Sequence, residues 1–301
     1  MTNRIVPTLN CAGLTAVIAA GMMVPATPQF EVASIKPCKE GDGGGGIQKK
    51  GGGGGPGSSS PGRLTTGCDT VLGLIHSAYV LYAIGHLVRD PSAPHIEGGP
   101  AWIHSDRYVI NARAEGAPGE GTMMGPMLQA LLEDRFKLRI RRENREVPVY
   151  ALTLAKGGPK LPAFQEGSCT PVDFPRVPQP RPEDGCMVLI RQGTGSTLAL
   201  QAPGTSLDGF TKLLYLAVDR PVIDKTGIQG LFDFHLEFAQ QEATPAFRPG
   251  GEPLPRPAEP ADEPAAPSIF TAIQQLGLKL EPAKGPREFL VVDRVERPTG
   301  N

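Results

Sequence analysis

Four histidines fall close together in the 301-residue sequence, at His76, His86, His95 and His104. A zinc site wants histidines four apart on a helix or two apart on a strand. These are nine or ten apart. The expectation is therefore a histidine on a helix and others in loops, hydrogen-bonded or solvated, with no metal or other cofactor. Ser196, in "GTGST", carries nothing before it that makes a nucleophile elbow, and H-E-x-x-H does not occur. A pair of carboxylates facing one cleft would serve glycoside hydrolysis. The candidates Glu133, Asp134, Asp224 and Asp233 fall at predicted helix ends and turns, where capping accounts for them. No catalytic residue is assigned. An envelope hydrolase with converging side chains stays open as an alternative, because sequence does not exclude convergence.

Two other features bear on binding. Trp102, the single tryptophan, lies in "GGPAWIHSDRY", between a turn and a strand. It is a candidate anchor for a partner, although a Trp at such a place more often covers the end of a small core. Lys137, Arg139 and Arg141 alternate with apolar residues, and Arg142 and Arg145 follow. They predict a basic strip on one strand face, a candidate dock for an acidic partner, diluted by Glu143 and Glu146.

The cysteines and the N-terminus indicate the compartment. Arg4, an apolar run from Cys11 to Val24 and the small-residue step Val24-Pro25-Ala26 have the layout of a signal peptide over residues 1–26. Cys11 stands at the start of the apolar run rather than after it, which is the wrong order for a lipoprotein. With no second long apolar segment, the mature protein is expected to be exported, soluble, and periplasmic or extracellular. Four cysteines then remain, Cys38, Cys68, Cys169 and Cys186. An even number in an exported chain predicts disulfides. Of three possible pairings, Cys38–Cys68 and Cys169–Cys186 are favoured because each closes a local loop. No C-x-x-C spacing supports zinc.

Net charge is −1, which favours neither nucleic acid nor an anionic membrane as partner. Glycine (38) and proline (32) are abundant and clustered, so the folding part is shorter than the chain. "FEVASIKPC" reads as a strand leading into a Gly-rich flexible loop, together 27–62. From Arg63 the pattern is ordered. "RLTTG" is a strand, and "CDTVLGLIHSAYVLY" is a helix capped by Asp69 or Thr70. "RYVINARAE" is a strand and "TMMGPMLQALLEDRF" a helix. "FKLRIRRENR" and "EVPVYALTLAKGG" are two further strands. A Pro-rich, Cys-containing linker covers 161–186. The same order then returns: "STLALQA", a helix capped by Ser206, "PVID", "LFDFHLEFA", a Pro/Ala-rich insert at 240–267 expected to be disordered, the helix "SIFTAIQQLG" ended by Gly277, and the strands "LKLEPA" and "REFLVVDRV". Phe136-Lys137-Leu138 stands at the same distance before Glu146 as Leu278-Lys279-Leu280 before Glu288. The sequence thus predicts an α+β fold of two tandem strand-helix-strand-strand-helix-strand-strand repeats, 63–160 and 187–301.

The second repeat, through "LALQAPGTSLDGFTKLLYLAVDRPVID" and "SIFTAIQQLGLKLEPAKGPREFLVV", resembles the short N-terminal domain of secretins and TonB-dependent receptors. That resemblance implies a periplasmic protein-contact module. From "FEVASIKPC" to "VVDRVERPTGN" the chain is similar to a family of uncharacterised secreted proteins of Solibacter-type Acidobacteria. Its landmarks here include "GGPAWIHSDRYVINARA" and "LLEDRFKLRIRRENREVPVYALTLAKGGPKL". The family has no assigned activity. Some relatives look as if they carry this region on a membrane-bound peptidase of the antibiotic-sensor type. The combined expectation is a non-enzymatic binding module whose partner is an envelope protein: a TonB-linked receptor, a secretin-like protein or a membrane sensor. A small-ligand binder using the cleft between repeats is the other alternative.

Overall fold

A computed structural model describes residues 28–39, 59–88, 90, 92–171, 184–193, 197–239 and 266–299. The expected signal peptide, most of the Gly-rich loop and nearly all of the 240–267 insert lie outside these residues.

The chain opens with β1 (Phe30–Cys38), β2 (Ser59–Ser60), β3 (Arg63–Thr65) and β4 (Asp69–Thr70). Ser59–Gly62 is therefore part of a hairpin, not of the flexible loop expected to reach residue 62. Gly62 turns the hairpin at φ 74°, a conformation that suits a residue without Cβ. Helix α1 (Val71–His76) is capped by the Thr70 side chain, which accepts from the Gly73 N–H, and continues as a wider π-type turn through Leu81. Next come β5 (His95–Gly98), a 3₁₀ turn at Ala101–His104, and β6 (Arg107–Ala114).

The helix expected across "TMMGPMLQALLEDRF" is broken into α2 (Glu120–Thr122), a π-type turn and α3 (Leu128–Arg135). Pro126 removes an N–H from the ladder, and Gly125 leaves helical geometry at φ −101° and ψ −106°. A Cβ on Gly125 would stand 1.9 Å from the Tyr82 carbonyl oxygen, so the break is also where the loop after α1 packs closest.

Then come β7 (Arg139–Leu154), β8 (Leu189–Gln192), β9 (Thr197–Thr205), α4 (Leu207–Leu214), β10 (Val222–Asp224), β11 (Phe232–Ala239), α5 (Ile269–Ala272) and β12 (Leu278–Arg294). Ser206 caps α4 by accepting from Gly209 N–H. Gly277, at φ 68°, ends the 3₁₀ turn that follows α5.

Among the described residues, the protein is a mixed α+β fold with three sheets. Their strand orders are β1-β6-β3-β2, with β4 also on β6; β10-β7-β12-β5; and β11-β9-β8. The main departure from expectation lies in the middle sheet. Each pair of strands expected at the end of a repeat is one long strand, of 16 residues in β7 and 17 in β12. The two run antiparallel along their whole length, from Leu278 opposite Leu154 to Arg294 opposite Arg139.

Two hydrophobic cores flank this ribbon. The first holds Leu74 and Ile75 of α1, Ile110 of β6, Leu128 and Leu132 of α3, Phe136 and Leu138, but also Val292 and Val295 from the end of β12 and just beyond it. The second holds Leu200, Phe210, Leu214, Phe234, Leu236, Ile269, Leu278 and Leu280, but also Leu152 from β7. Each long strand starts beside the helix that precedes it and finishes in the other core. A division of the chain at residue 160 therefore does not divide the side chains of the cores.

Candidate functional site

The predicted basic strip lies on the β7–β12 ribbon, and the structure neutralises much of it. Alternation puts Arg141, Glu143 and Arg145 of β7 on one face, opposite Val291, Phe289 and Arg287 of β12. Arg141 reaches Asp293 at 3.1 Å and also holds Glu143. Arg145 donates from Nε to Glu143 at 2.6 Å and pairs through Nη2 with Glu97 of β5 at 2.5 Å. On the opposite face, Arg142 donates to both oxygens of Glu288, at 3.0 and 3.1 Å. The hydrogen bonds from Arg145 and Arg141 push the Glu143 carboxyl down to about 2, and Glu143 in turn raises both guanidinium groups above their ordinary range.

Lys137 lies just before the strand at φ 51°, with its ammonium 3.8 Å from Asp134. Arg139 is exposed at the β7 terminus, opposite Arg294. The strip is thus a mixed-charge ladder, with carboxylates from β5 and β12 that no local reading of β7 could supply. Only the long-range pairing brings Glu97, Glu288 and Asp293 there.

Arg287 departs from this pattern. It lies directly opposite Arg145. Its guanidinium stands 5.8 Å from the Tyr215 ring centre and 5.9 Å from that of Phe289, while Arg145 covers Phe289 at 4.7 Å. Nη2 donates to the Tyr215 hydroxyl at 3.4 Å, a long contact. Nε is buried and has no hydrogen-bond partner, the one such side-chain atom among the described residues. No carboxylate within the described residues pairs with it.

Trp102 is half-buried against the first core. The Arg297 guanidinium lies 4.7 Å over its ring, and Arg297 Nε donates to Asp106 at 2.8 Å. Trp102 is therefore held by the chain's own C-terminal segment rather than joined to Lys137, Arg139 and Arg141 in one patch.

The remaining candidates have structural partners. Tyr79 donates to Glu133 at 2.7 Å, and burial with this bond raises the Tyr79 pKa. Asp134 pairs with Arg135. Asp224 accepts from Thr226 N–H and hydroxyl at 2.8 and 2.7 Å, and Asp233 accepts from Gly204 N–H at 2.9 Å. His76 ends α1, His86 lies in the loop beyond it, and His104 ends the 3₁₀ turn. His95 opens β5 and meets Phe289 edge-on at 6.1 Å. Among the described residues no three His, Cys, Asp or Glu side chains gather as a metal set. Ser196 lies outside the described residues.

The cysteines fall into the two favoured pairs. Cys38 and Cys68 are at disulfide distance, with Cα atoms 6.0 Å apart, and tie β1 to the approach to β4. Cys169 and Cys186, 5.0 Å apart at Cα, tie the segment after β7 to the approach to β8. Beside the second pair, Phe164, Cys169 and Leu231 line a concavity of about 390 Å³, with Glu166 and Asp184 also on its wall. Asp184 is engaged there by the Thr170 hydroxyl at 2.7 Å.

No described helix is long and apolar enough to cross a membrane. The family described as "Protein of unknown function (DUF3738)" matches residues 74–295. The chain belongs to this family. The DUF3738 match runs from within α1 to one residue past β12, and takes in Arg145, Arg287, Tyr215, the second core and most of the first. No curated protein and no solved structure matches the chain.

Proposed function

We propose that this DUF3738 protein is an exported, non-enzymatic protein-contact module, built from two copies of one α+β unit, that accepts an extended strand of an envelope partner along β11. The cysteine pairs are compatible with an oxidising compartment outside the cytoplasm. Two copies are supported by the matching order β3-α1-β5-β6-α3-β7 and β9-α4-β10-β11-α5-β12. The register supports them too. The spacing that superposes Phe136 on Leu278 superposes Arg145 on Arg287, and these two residues face each other in the ribbon. A two-fold relation between the copies would pass through that pair.

The observation that carries the contact reading is a difference between equivalent strands. In the first copy β6 is paired on both sides, by β3 and by β1. In the second, among the described residues, β11 is paired along its length by β9 on one side only, with a single bridge from Ala163 to Phe232 on the other. Its outer edge is covered at the start by Pro162, which accepts from Asp233 N–H, and at the end by Pro267, which accepts from Ala239 N–H. The alternation that turns those two N–H groups outward turns His235 and Glu237 outward as well. Their N–H and C=O groups have no backbone partner among the described residues, and Leu236 and Phe238 form the wall behind them. This is the seat β1 occupies in the first copy, where Ala33 faces Ala112 and Phe30 faces Ala114. The fitting occupant is a partner's antiparallel strand with small or apolar side chains facing Leu236 and Phe238. A TonB-linked receptor, a secretin-like protein or a membrane sensor would present it.

The test places a photocrosslinking residue at His235 in the native envelope and repeats the experiment with Glu237→Pro. That substitution removes an outward N–H and spares the β9 ladder. One receptor, secretin-like protein or sensor should crosslink through a β-strand, and the Pro variant should lose it. The same crosslink in both proteins would overturn strand addition.

A further inference from the structure

Arg145 and Arg287 face each other across the ribbon at equivalent places in the two copies, yet their surroundings differ in one respect. Arg145 is held by Glu143, two residues earlier on its strand, and by Glu97 on the flanking strand β5. The position equivalent to Glu143 is Gly285. The position equivalent to Glu97 is Pro221, one step before the Val222–Tyr150 pair that joins β10 to β7. The second copy therefore keeps the arginine and drops both carboxylates. The space beside Gly285 is filled by apolar groups, since a Cβ there would lie 3.1 Å from Val149 and 3.2 Å from Ile223. Arg287 is left with two aromatic rings, a hydroxyl contact at 3.4 Å and a buried Nε without a partner.

Like charges directly opposite each other in a sheet are unfavourable, and an unpartnered buried donor adds a desolvation cost. Arg145 offsets its share through two internal carboxylates. Arg287 has only the two rings and the long hydroxyl contact to offset its share within the described residues.

We propose that Arg287 and Tyr215 form a binding seat for the carboxylate of an external ligand, a carboxylic acid with an apolar or aromatic body. The guanidinium offers a planar fork matched to a carboxylate, and the Tyr215 hydroxyl adds a further donor. A monoanion balances the single uncompensated charge. A phosphate dianion would leave a net negative charge beside the Tyr215 and Phe289 rings, which is costly against apolar surface. The rings of Tyr215 and Phe289 offer apolar surface to the body of the acid. The seat rests on the equivalence of the two copies proposed above, and it is separate from the β11 edge.

The buried Nε makes the test direct, because a protected Arg Nε–H gives its own ¹H–¹⁵N signal. The full chain is titrated with sodium acetate and sodium benzoate at constant ionic strength. The Arg287 signal is assigned by its loss in Arg287→Lys. Both acids should move it saturably in the millimolar range, benzoate several-fold more tightly, while sodium chloride leaves it in place. Pro221→Glu restores an internal carboxylate on β10. It should move the signal before any acid is added and weaken acetate binding at least tenfold. A signal that ignores both acids, or follows chloride equally, would overturn the seat. Saturable acetate binding that Pro221→Glu leaves unchanged would uphold the seat and overturn the equivalence of the copies instead.

Discussion

Among the described residues, the two halves of the molecule differ in how far matching strands and arginines are paired internally. Among the described residues, β6 has strands on both sides and β11 on one. Arg145 has two carboxylates and Arg287 none among the described residues. The helices that open the two halves, by contrast, are built alike: Thr70 and Ser206 each cap one by accepting the N–H three residues on. Where the halves agree, the residues serve folding: caps, core faces and the ribbon. Where they differ, one half leaves backbone or side-chain groups without internal partners. A folding requirement does not explain such groups, because filling them internally is possible, as the first half demonstrates. The two differences are therefore the places to look for ligands.

The largest effect is expected where the halves depend on each other. Leu152 starts from the first half and is fully buried in the second core. Leu152→Ala should cost about 2–5 kcal/mol, as for other buried leucines. The loss should appear in a single denaturation transition, and hydrogen exchange should quicken in α4 and β11 although neither contains the substitution. Faster exchange confined to β7, or two separate transitions with only one shifted, would show that the halves are independent domains and that the ribbon merely joins them.

The disulfides give the next comparison. The Cys38–Cys68 loop spans 30 residues and the Cys169–Cys186 loop 17. Loop entropy assigns them about 3.6 and 3.1 kcal/mol. Replacing each pair by serines should therefore lower stability by similar amounts, slightly more for the first. The functional consequences should differ. Cys38 anchors β1 on β6, so its loss should uncover the β6 edge and leave β6 paired on one side, as β11 is among the described residues. Hydrogen exchange at the outward amides of β6 would measure this. Unchanged protection there would mean that pairing alone retains β1.

Much of this architecture is legible in the sequence, for reasons that are local. Helices announce themselves through caps at Thr70 and Ser206 and an apolar face such as Val71, Leu74, Ile75 and Ala78. Gly277 marks an ending because a left-handed residue is needed there. The long strands are not legible in the same way. Their centres are polar, "RRENRE" in β7, and interrupted by Pro148, Pro282 and Pro286, so each reads as two strands with a break. The prolines are tolerated because the ribbon has no third strand beside them: β10 pairs β7 from Tyr150 onward, and β5 pairs β12 only from Phe289 to Val292. The same long-range pairing hid the true character of the basic strip. Nothing near Arg141 and Arg145 in sequence indicates that Asp293 and Glu97 will meet them. The β11 edge and the bare Arg287 were hidden for a related reason, since each is visible only by comparison with its counterpart across the ribbon.

The smallest effect expected is also the most selective. Glu143 is half-buried and still meets solvent, so its pairs with Arg141 and Arg145 contribute only modestly to stability at neutral pH. Its carboxyl nevertheless titrates near 2 in the folded protein, below its ordinary 4.5. A group whose folded pKa is depressed stabilises the fold above its unfolded pKa, and that contribution fades as pH falls toward the folded value. Between pH 4.5 and 2, part of the acid lability should therefore belong to Glu143. Glu143→Gln should lower the unfolding midpoint modestly at pH 7, where the contribution is fully present, and leave it nearly unchanged near pH 2, so that the pH dependence flattens in that window. It also removes one of the two carboxylates from Arg145 and so brings that arginine partway to the condition of Arg287. If a bare arginine on this ribbon attracts carboxylates, the Arg145 Nε signal of Glu143→Gln should begin to respond to acetate, more weakly than Arg287 because Glu97 remains. An Arg145 signal that stays still while the Arg287 signal moves would show that the aromatic and hydroxyl surroundings of Arg287, rather than the missing carboxylates, make the seat.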